Sequence, residues 1–188
     1  MYRISIFASG SGSNAENLVR YFMYHADIVV DSIVSNVADA YVLERAKKLD
    51  VETFVFSRKD FRAGEKVLQL MEERKVDLIV LAGFLQLIPE VLVKRFPLIN
   101  IHPALLPKHG GKGMYGMRVH QAVKESGDKE SGITIHLIDE KYDEGEILFQ
   151  KTCPVLDDDS PEDIANKVHQ LEYEFFPKVV ENYLLRND

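Results

Sequence analysis

The chain has 188 residues, 46 % of them hydrophobic and 28 % charged, with a formal net charge of −7. A chain of this length buries roughly 70 % of its unfolded surface, so it fits one domain (1–188) that needs no disulfide or metal staple. The acidic balance argues against nucleic-acid and anionic-membrane surfaces, although a local anion pocket needs only a few aimed donors. Cys153 is the single cysteine and lies in an apolar run, which rules out an intrachain disulfide and reads as a buried, inert thiol. The N-terminus lacks a basic stretch followed by an apolar core, and no 18 consecutive residues are apolar. The expectation is a cytoplasmic protein without a membrane span.

Short apolar runs alternate with amphipathic stretches from the start. Tyr2–Phe7 reads as a buried strand, followed by a Gly/Ser loop and a helix over about 15–25. Ile28–Ser35 is a second strand and 41–49 a second helix; 53–56 is a third strand and 65–74 a helix with Val67, Leu68 and Met71 on one face. Residues 78–82 form a nearly continuous apolar strand of the kind buried on both faces of a parallel sheet. Pro89 opens a helix through Phe96, and 98–101 is a fifth strand. The alternation predicts an α/β fold built on an open, doubly wound, mostly parallel sheet. Beyond Ile101 the pattern changes. A loop rich in Pro, Gly and Lys precedes a helix over 117–125. Then 132–138 and Ile147–Pro154 form an antiparallel hairpin around an acidic turn, and Ser160, Pro161 and Glu162 open a final helix.

Ser9-Gly10-Ser11-Gly12-Ser13-Asn14 joins the first strand to the first helix. Glycines there permit a tight turn and leave amides uncovered, and the helix N-terminus adds free N–H groups and partial positive charge, so an anion is favoured. The plain alternative is a β–α turn capped by Ser13 or Asn14. A dinucleotide fingerprint ending at Ala15 would need an acid closing the second strand; Ser35-Asn36 stands there and Asp31 lies mid-strand, so a phosphomonoester suits better. At the end of the fifth strand, alternation sets Asn100 and His102 on one face, where open α/β sheets hold their ligands. An Asn amide suits a developing oxyanion, and His exchanges protons near neutral pH. Asp143, in the acidic turn, would raise the pKa of an imidazole beside it. The alternatives are a capping Asn, a structural His and a turn-forming Asp.

At these residues the chain resembles the phosphoribosylglycinamide formyltransferase family, folate-dependent enzymes of purine biosynthesis. The matching segments are the Ser9–Asn14 loop, Ser35-Asn36-Val37-Ala38-Asp39-Ala40, Leu81-Ala82-Gly83-Phe84, Asn100-Ile101-His102-Pro103-Ala104-Leu105-Leu106-Pro107, Gly132-Ile133-Thr134-Ile135-His136 with Asp143, and Glu172. The resemblance covers residues 3–183 and implies a Rossmann-like formyltransferase fold, with 1–101 as its phosphate-binding half and 102–188 as its catalytic and folate-closing half. It implies Asn100, His102 and Asp143 as catalytic residues. Gly12, Ser13, Asn14 and Glu172 would bind the phosphorylated amine glycinamide ribonucleotide. Arg62, Leu85, Gln86, Leu87, Ile88, Asn100 and Glu140 would bind 10-formyltetrahydrofolate, and His169 or Lys167 would be a further cation at the phosphate. Gln86 stands where relatives often carry Arg or Met, and the 108–117 loop looks long and glycine-rich.

The implied reaction is formyl transfer to the substrate amine in a monomer or homodimer, with no nucleic-acid partner and no metal, since no His pair has a ligand spacing such as H-x-x-x-H. Three rivals fit less well. A tRNA-directed formyltransferase would want a basic C-terminal extension, and a formyltetrahydrofolate hydrolase an added N-terminal regulatory domain. A non-catalytic nucleotide-binding module would leave Asn100, His102 and Asp143 without a role.

Overall fold

The computed structural model describes residues 1–139, 143 and 145–186. Seven strands form one sheet: β1 (Tyr2–Phe7), β2 (Ile28–Ser35), β3 (Glu52–Val55), β4 (Leu78–Leu81), β5 (Leu98–His102), β6 (Glu130–Leu137) and β7 (Ile147–Pro154). Their order is β3-β2-β1-β4-β5-β6-β7. The first five run parallel, and β6 pairs antiparallel with both β5 and β7. Among the described residues seven helices accompany the sheet: α1 (Ser13–Phe22), α2 (Tyr41–Lys48), α3 (Arg58–Ala63), α4 (Glu65–Glu73), α5 (Glu90–Val93), α6 (Met117–Ser126) and α7 (Pro161–Leu185).

Period-two alternation divides the apolar side chains between the two faces. Leu78 and Val80 of β4 join Ile4, Ile6, Ile99, Ile133, Leu18 and Phe176 in a core beneath α1 and α7. Ile79 and Leu81 join Phe7, Phe61, Met71, Leu92 and Leu98 in a second core on the opposite face. The central strands are therefore buried on both sides, as their continuous apolar sequence predicts. Ser160 caps α7 through a reciprocal capping box with Asp163, and Pro161 sits in the first turn.

Three local expectations need correction. A helix, Arg58–Ala63, precedes α4; it escapes pattern reading because it is six residues long and buries only Phe61. Its cap is nonetheless visible in sequence, Ser57 accepting from the Asp60 amide at 3.1 Å. Pro89 is the extended N-cap of α5 and lies outside the helical residues, and α5 itself spans only Glu90–Val93. Finally, α1 begins at Ser13, so the Gly/Ser loop runs directly into the helix.

Strand order reverses direction at β1: the chain passes to β2 on one side and returns to β4 on the other. Loops after β1 and β4 consequently diverge and open a crevice at the carboxyl ends of the strands. Ser9 ties the two loops together. Its amide donates to the Gly83 carbonyl at 3.1 Å, and its Oγ accepts from the Leu85 amide at 3.0 Å and donates to Asn36 at 2.7 Å.

Candidate active site

That crevice is an open cleft of about 580 Å³, within the range of small-molecule sites. Gly12, Ser13, Asn14, Leu85, Gln86, Leu87, Ile88, Asn100, His102, Asp143 and Glu172 all border it. Arg62 does not: it lies exposed on α3 while Phe61 beside it turns into the core against Phe84, with ring centroids 4.7 Å apart. Glu140 lies outside the described residues.

At one end, the N-cap of α1 is Gly12 with φ 74°, and no side chain caps the helix. The capping role open to Ser13 or Asn14 is thus not taken up, and the first-turn amides remain available to an anion. Two contacts from α2 hold the loop: the Val42 amide donates to the Gly10 carbonyl at 3.1 Å and Arg45 Nε to the Ser11 carbonyl at 2.8 Å. A Cβ on Gly12 would stand 2.3 Å from Val42 Cγ2, whereas one on Gly10 would meet nothing within 4 Å. Gly12 is therefore required by its left-handed backbone and by α2, and the open approach lies over Gly10.

Asn14 Nδ2 donates to Glu172 Oε2 at 2.9 Å across 158 residues of sequence. Burial pushes the Glu172 carboxyl upward in pKa, partly offset by Asn14 and by His169. The buried Asn14 Oδ1 has no partner. His169 borders the cleft at this end; Lys167 is turned away, with Nζ 2.5 Å from Asp159.

The opposite wall is Leu85–Ile88, with Leu85 and Leu87 exposed towards solvent. Gln86 stabilises it from both sides, accepting from Asn36 Nδ2 at 3.3 Å and donating to the Arg58 carbonyl at 3.2 Å.

Between these ends β5 delivers Asn100 and His102, on the same face as expected. Antiparallel pairing sets Asn100 opposite His136 and His102 opposite Thr134. Asn100 Nδ2 lies 3.1 Å from His136 Nε2, and His136 Nδ1 lies 2.9 Å from the Leu137 carbonyl. A carbonyl only accepts, so His136 is protonated on Nδ1 and receives the Asn100 N–H on Nε2. His102 Nε2 lies 2.8 Å from the His109 carbonyl. By the same logic its proton sits on Nε2, leaving Nδ1 as the basic nitrogen. Asp143 stands between the two rings, Oδ2 3.7 Å from His102 Nδ1 and Oδ1 3.7 Å from His136 Nε2. Its Oδ2 also accepts from the Gly111 amide at 2.8 Å.

Asp143 does favour protonation of His102, as expected, but burial outweighs it, and the pKa of His102 lies below the ordinary histidine value. Burial likewise lowers that of His136. Both rings are therefore neutral near pH 7, with a carboxylate placed to stabilise a proton that arrives. Two residues at the site have no role assigned from sequence. His136 is fully buried behind the cleft, against Asn100 and Asp143. His120 is 1 % exposed and borders the cleft beside His169, and burial draws its pKa down to about 4. Cys153 is buried and its thiol pKa is pushed up, as an inert thiol requires. No helix among the described residues is long and apolar enough to cross a membrane.

The sheet switch point thus brings together free amides at a helix N-terminus, a neutral side-chain amide and an imidazole beside a carboxylate. The formyl transferase family profile matches residues 2–180, and the chain belongs to that family. It is 38 % identical over 188 residues to the chloroplastic phosphoribosylglycinamide formyltransferase of Arabidopsis thaliana, covering 95 % of this chain and 64 % of that protein. The chain thus spans less than two thirds of the plant relative. With the Haemophilus influenzae phosphoribosylglycinamide formyltransferase it shares 34 % identity, over 96 % of this chain and 86 % of the other. The crystal structure of the Streptococcus pneumoniae phosphoribosylglycinamide formyltransferase superposes with a TM-score of 0.85 at 33 % identity, covering 98 % of this chain and 99 % of that one.

Proposed function

We propose that this chain transfers the formyl group of 10-formyltetrahydrofolate to the primary amine of glycinamide ribonucleotide, giving formylglycinamide ribonucleotide and tetrahydrofolate in purine biosynthesis. One observation carries the reading: Asn100, His102 and Asp143 converge midway along a cleft that has an anion cradle at one end and an apolar wall at the other. The family and the activity named for its relatives support it.

The Gly10–Asn14 amides and His169 receive the substrate phosphate, and Glu172 with the unpartnered Asn14 Oδ1 accepts hydrogen bonds from the substrate's hydroxyl or amine groups. The Leu85–Ile88 wall takes the pteridine. As the amine attacks the formyl carbon, its nitrogen forms the new C–N bond and the carbonyl electron pair moves to oxygen. One Asn100 N–H is committed to His136, which leaves the second for that oxyanion. Neutral His102 accepts the amine proton on Nδ1, and the resulting imidazolium is stabilised by Asp143. Collapse breaks the bond from carbon to the folate nitrogen, which takes the proton back from His102. No proton is gained or lost overall. The reading extends to a cytoplasmic enzyme, monomer or homodimer, acting on diffusible substrates.

The test is release of deformylated folate by the purified protein. Release that depends on glycinamide ribonucleotide supports the reading. Equal release with water as the only acceptor would make the protein a hydrolase and sink it, as would no release at all.

A further inference from the structure

The segment 109–111 touches both acid–base groups of the site. The His109 carbonyl accepts from His102 Nε2 at 2.8 Å, and the Gly111 amide donates to Asp143 Oδ2 at 2.8 Å. Gly110 lies between them, and a Cβ there would stand 2.5 Å from Leu106 Cδ2, so the leucine side chain would have to shift to admit one. To aim its carbonyl at His102, His109 adopts φ 53°, in the left-handed region. That conformation is uncommon for a residue with a side chain.

The His109 side chain is held from outside the cleft. His109 Nε2 lies 2.8 Å from Asp128 Oδ2, and Lys108 Nζ lies 2.9 Å from Asp128 Oδ1. One carboxylate thus grips two consecutive residues of the loop. Asp128 is itself fixed by the end of α6, where Gly127 takes φ 72° and its amide donates to the Lys124 carbonyl at 3.2 Å. His109 and then Lys108 hold the Asp128 carboxyl down to a pKa of about 2, so it stays charged across the working range.

We propose that Asp128 and His109 are positioning residues for the formyl-transfer reaction: their hydrogen-bonded contact holds the His109 carbonyl against His102 and thereby fixes the tautomer that leaves Nδ1 basic and facing Asp143. The reaction part of this inference rests on the function proposed above; the tautomer part does not. Without the clamp, 109–111 relaxes from its left-handed turn, the Nε2–H loses its acceptor, and the imidazole populates both tautomers. A ring protonated on Nδ1 cannot take the amine proton there.

The experiment reads the His102 ring and turnover together, in the intact protein. In ¹⁵N-histidine-labelled wild type, two-bond ¹H–¹⁵N correlations should show His102 as the Nε2–H tautomer. Asp128→Ala should give a mixed tautomer and lower kcat by about 10- to 100-fold, as small displacements of a catalytic group do, with KM for both substrates within about twofold. Asp128→Asn, which keeps an acceptor for His109, should restore the tautomer and most of kcat. Lys108→Ala, which leaves the His109–Asp128 contact intact, should match wild type. His109→Asn tolerates the positive φ but removes the ring, and should reproduce Asp128→Ala even if that variant folds poorly. An unchanged tautomer in Asp128→Ala and His109→Asn overturns the proposal, as does a loss confined to KM. If wild type transferred no formyl group, the tautomer measurement would still decide the clamp, so the two readings fail separately.

Discussion

Asn100 gives one of its amide hydrogens to His136 Nε2, 3.1 Å away across the β5–β6 pair, while His136 gives its own Nδ1 proton to the Leu137 carbonyl. This chain of donors fixes which end of the Asn100 amide is nitrogen. It also requires His136 to stay neutral, because a doubly protonated ring would set two donors face to face. Burial, which lowers the His136 pKa, supplies that condition.

His136→Leu should therefore leave the protein folded but free the Asn100 amide to rotate, lowering turnover by about tenfold through loss of orientation. Asn100→Ala, which deletes the proposed oxyanion donor itself, should cost about 10²–10³. Single-turnover rates alongside circular dichroism make the comparison. A His136→Leu enzyme as fast as wild type would remove His136 from the account of Asn100.

Gly12 is expected to be sensitive for two separable reasons. A Cβ at φ 74° costs about 1–2 kcal/mol in backbone strain, and it collides with Val42. Gly12→Ala should lower stability by more than the strain alone, and adding Val42→Ala should recover only the collision. Gly12→Val should also raise KM for the ribonucleotide with little change in folate binding. Urea unfolding of the single and double variants tests the first claim; wild-type stability in Gly12→Ala would refute it. Loss of folate affinity in Gly12→Val, with ribonucleotide affinity retained, would mean the two ends of the cleft are assigned the wrong way round.

What sequence reveals here divides along physical lines. Strand positions such as Leu78–Leu81 are written in local hydrophobic pattern, and the α7 start in local capping chemistry, so both can be read without coordinates. The pairing of Asn100 with His136 depends on strand register, which no local pattern encodes. Nor does any residue near Gly12 announce that Val42, thirty positions away, occupies the space above it. Burial has the same non-local character: the carboxylate at Asp143 suggests a raised His102 pKa, yet the enclosing protein decides the sign. Arg62 is the counterpart on the binding side: the resemblance implies it at the folate, yet it does not border the cleft.

Buried neutral histidines should make the fold acid-sensitive. His120 titrates at about 4 in the folded protein against an ordinary value near 6.5, so between these values the unfolded chain binds the extra proton. Stability then falls as pH falls through that window, by at most about 3 kcal/mol for this residue. His102 and His136, also lowered, act in the same direction. His120→Gln should flatten the loss between pH 6.5 and 4 in denaturant titrations. An equally steep loss in that variant would assign the acid sensitivity to other groups.

Asp143→Asn separates charge from shape at the centre of the site. In the proposed reaction the neutral form of His102 accepts the amine proton, and its lowered pKa keeps that form populated below the usual histidine range. The acid limb of the pH–rate profile should accordingly fall below pH 6.5, the ordinary value for histidine. Asp143 opposes the burial effect, so removing its charge should lower the His102 pKa further and move the limb to still lower pH. Turnover at neutral pH should nevertheless decrease, because the imidazolium formed during transfer loses the carboxylate 3.7 Å away that stabilises it. The two effects have opposite consequences at acidic pH, which makes the combination diagnostic. If Asp143 only shapes its turn, where φ is 56°, asparagine is equally at home in the left-handed region and the substitution should be silent. NMR titration of the His102 ring, run beside the rate profile in both proteins, distinguishes these cases: an unmoved pKa with retained turnover would leave the site to Asn100 and His102.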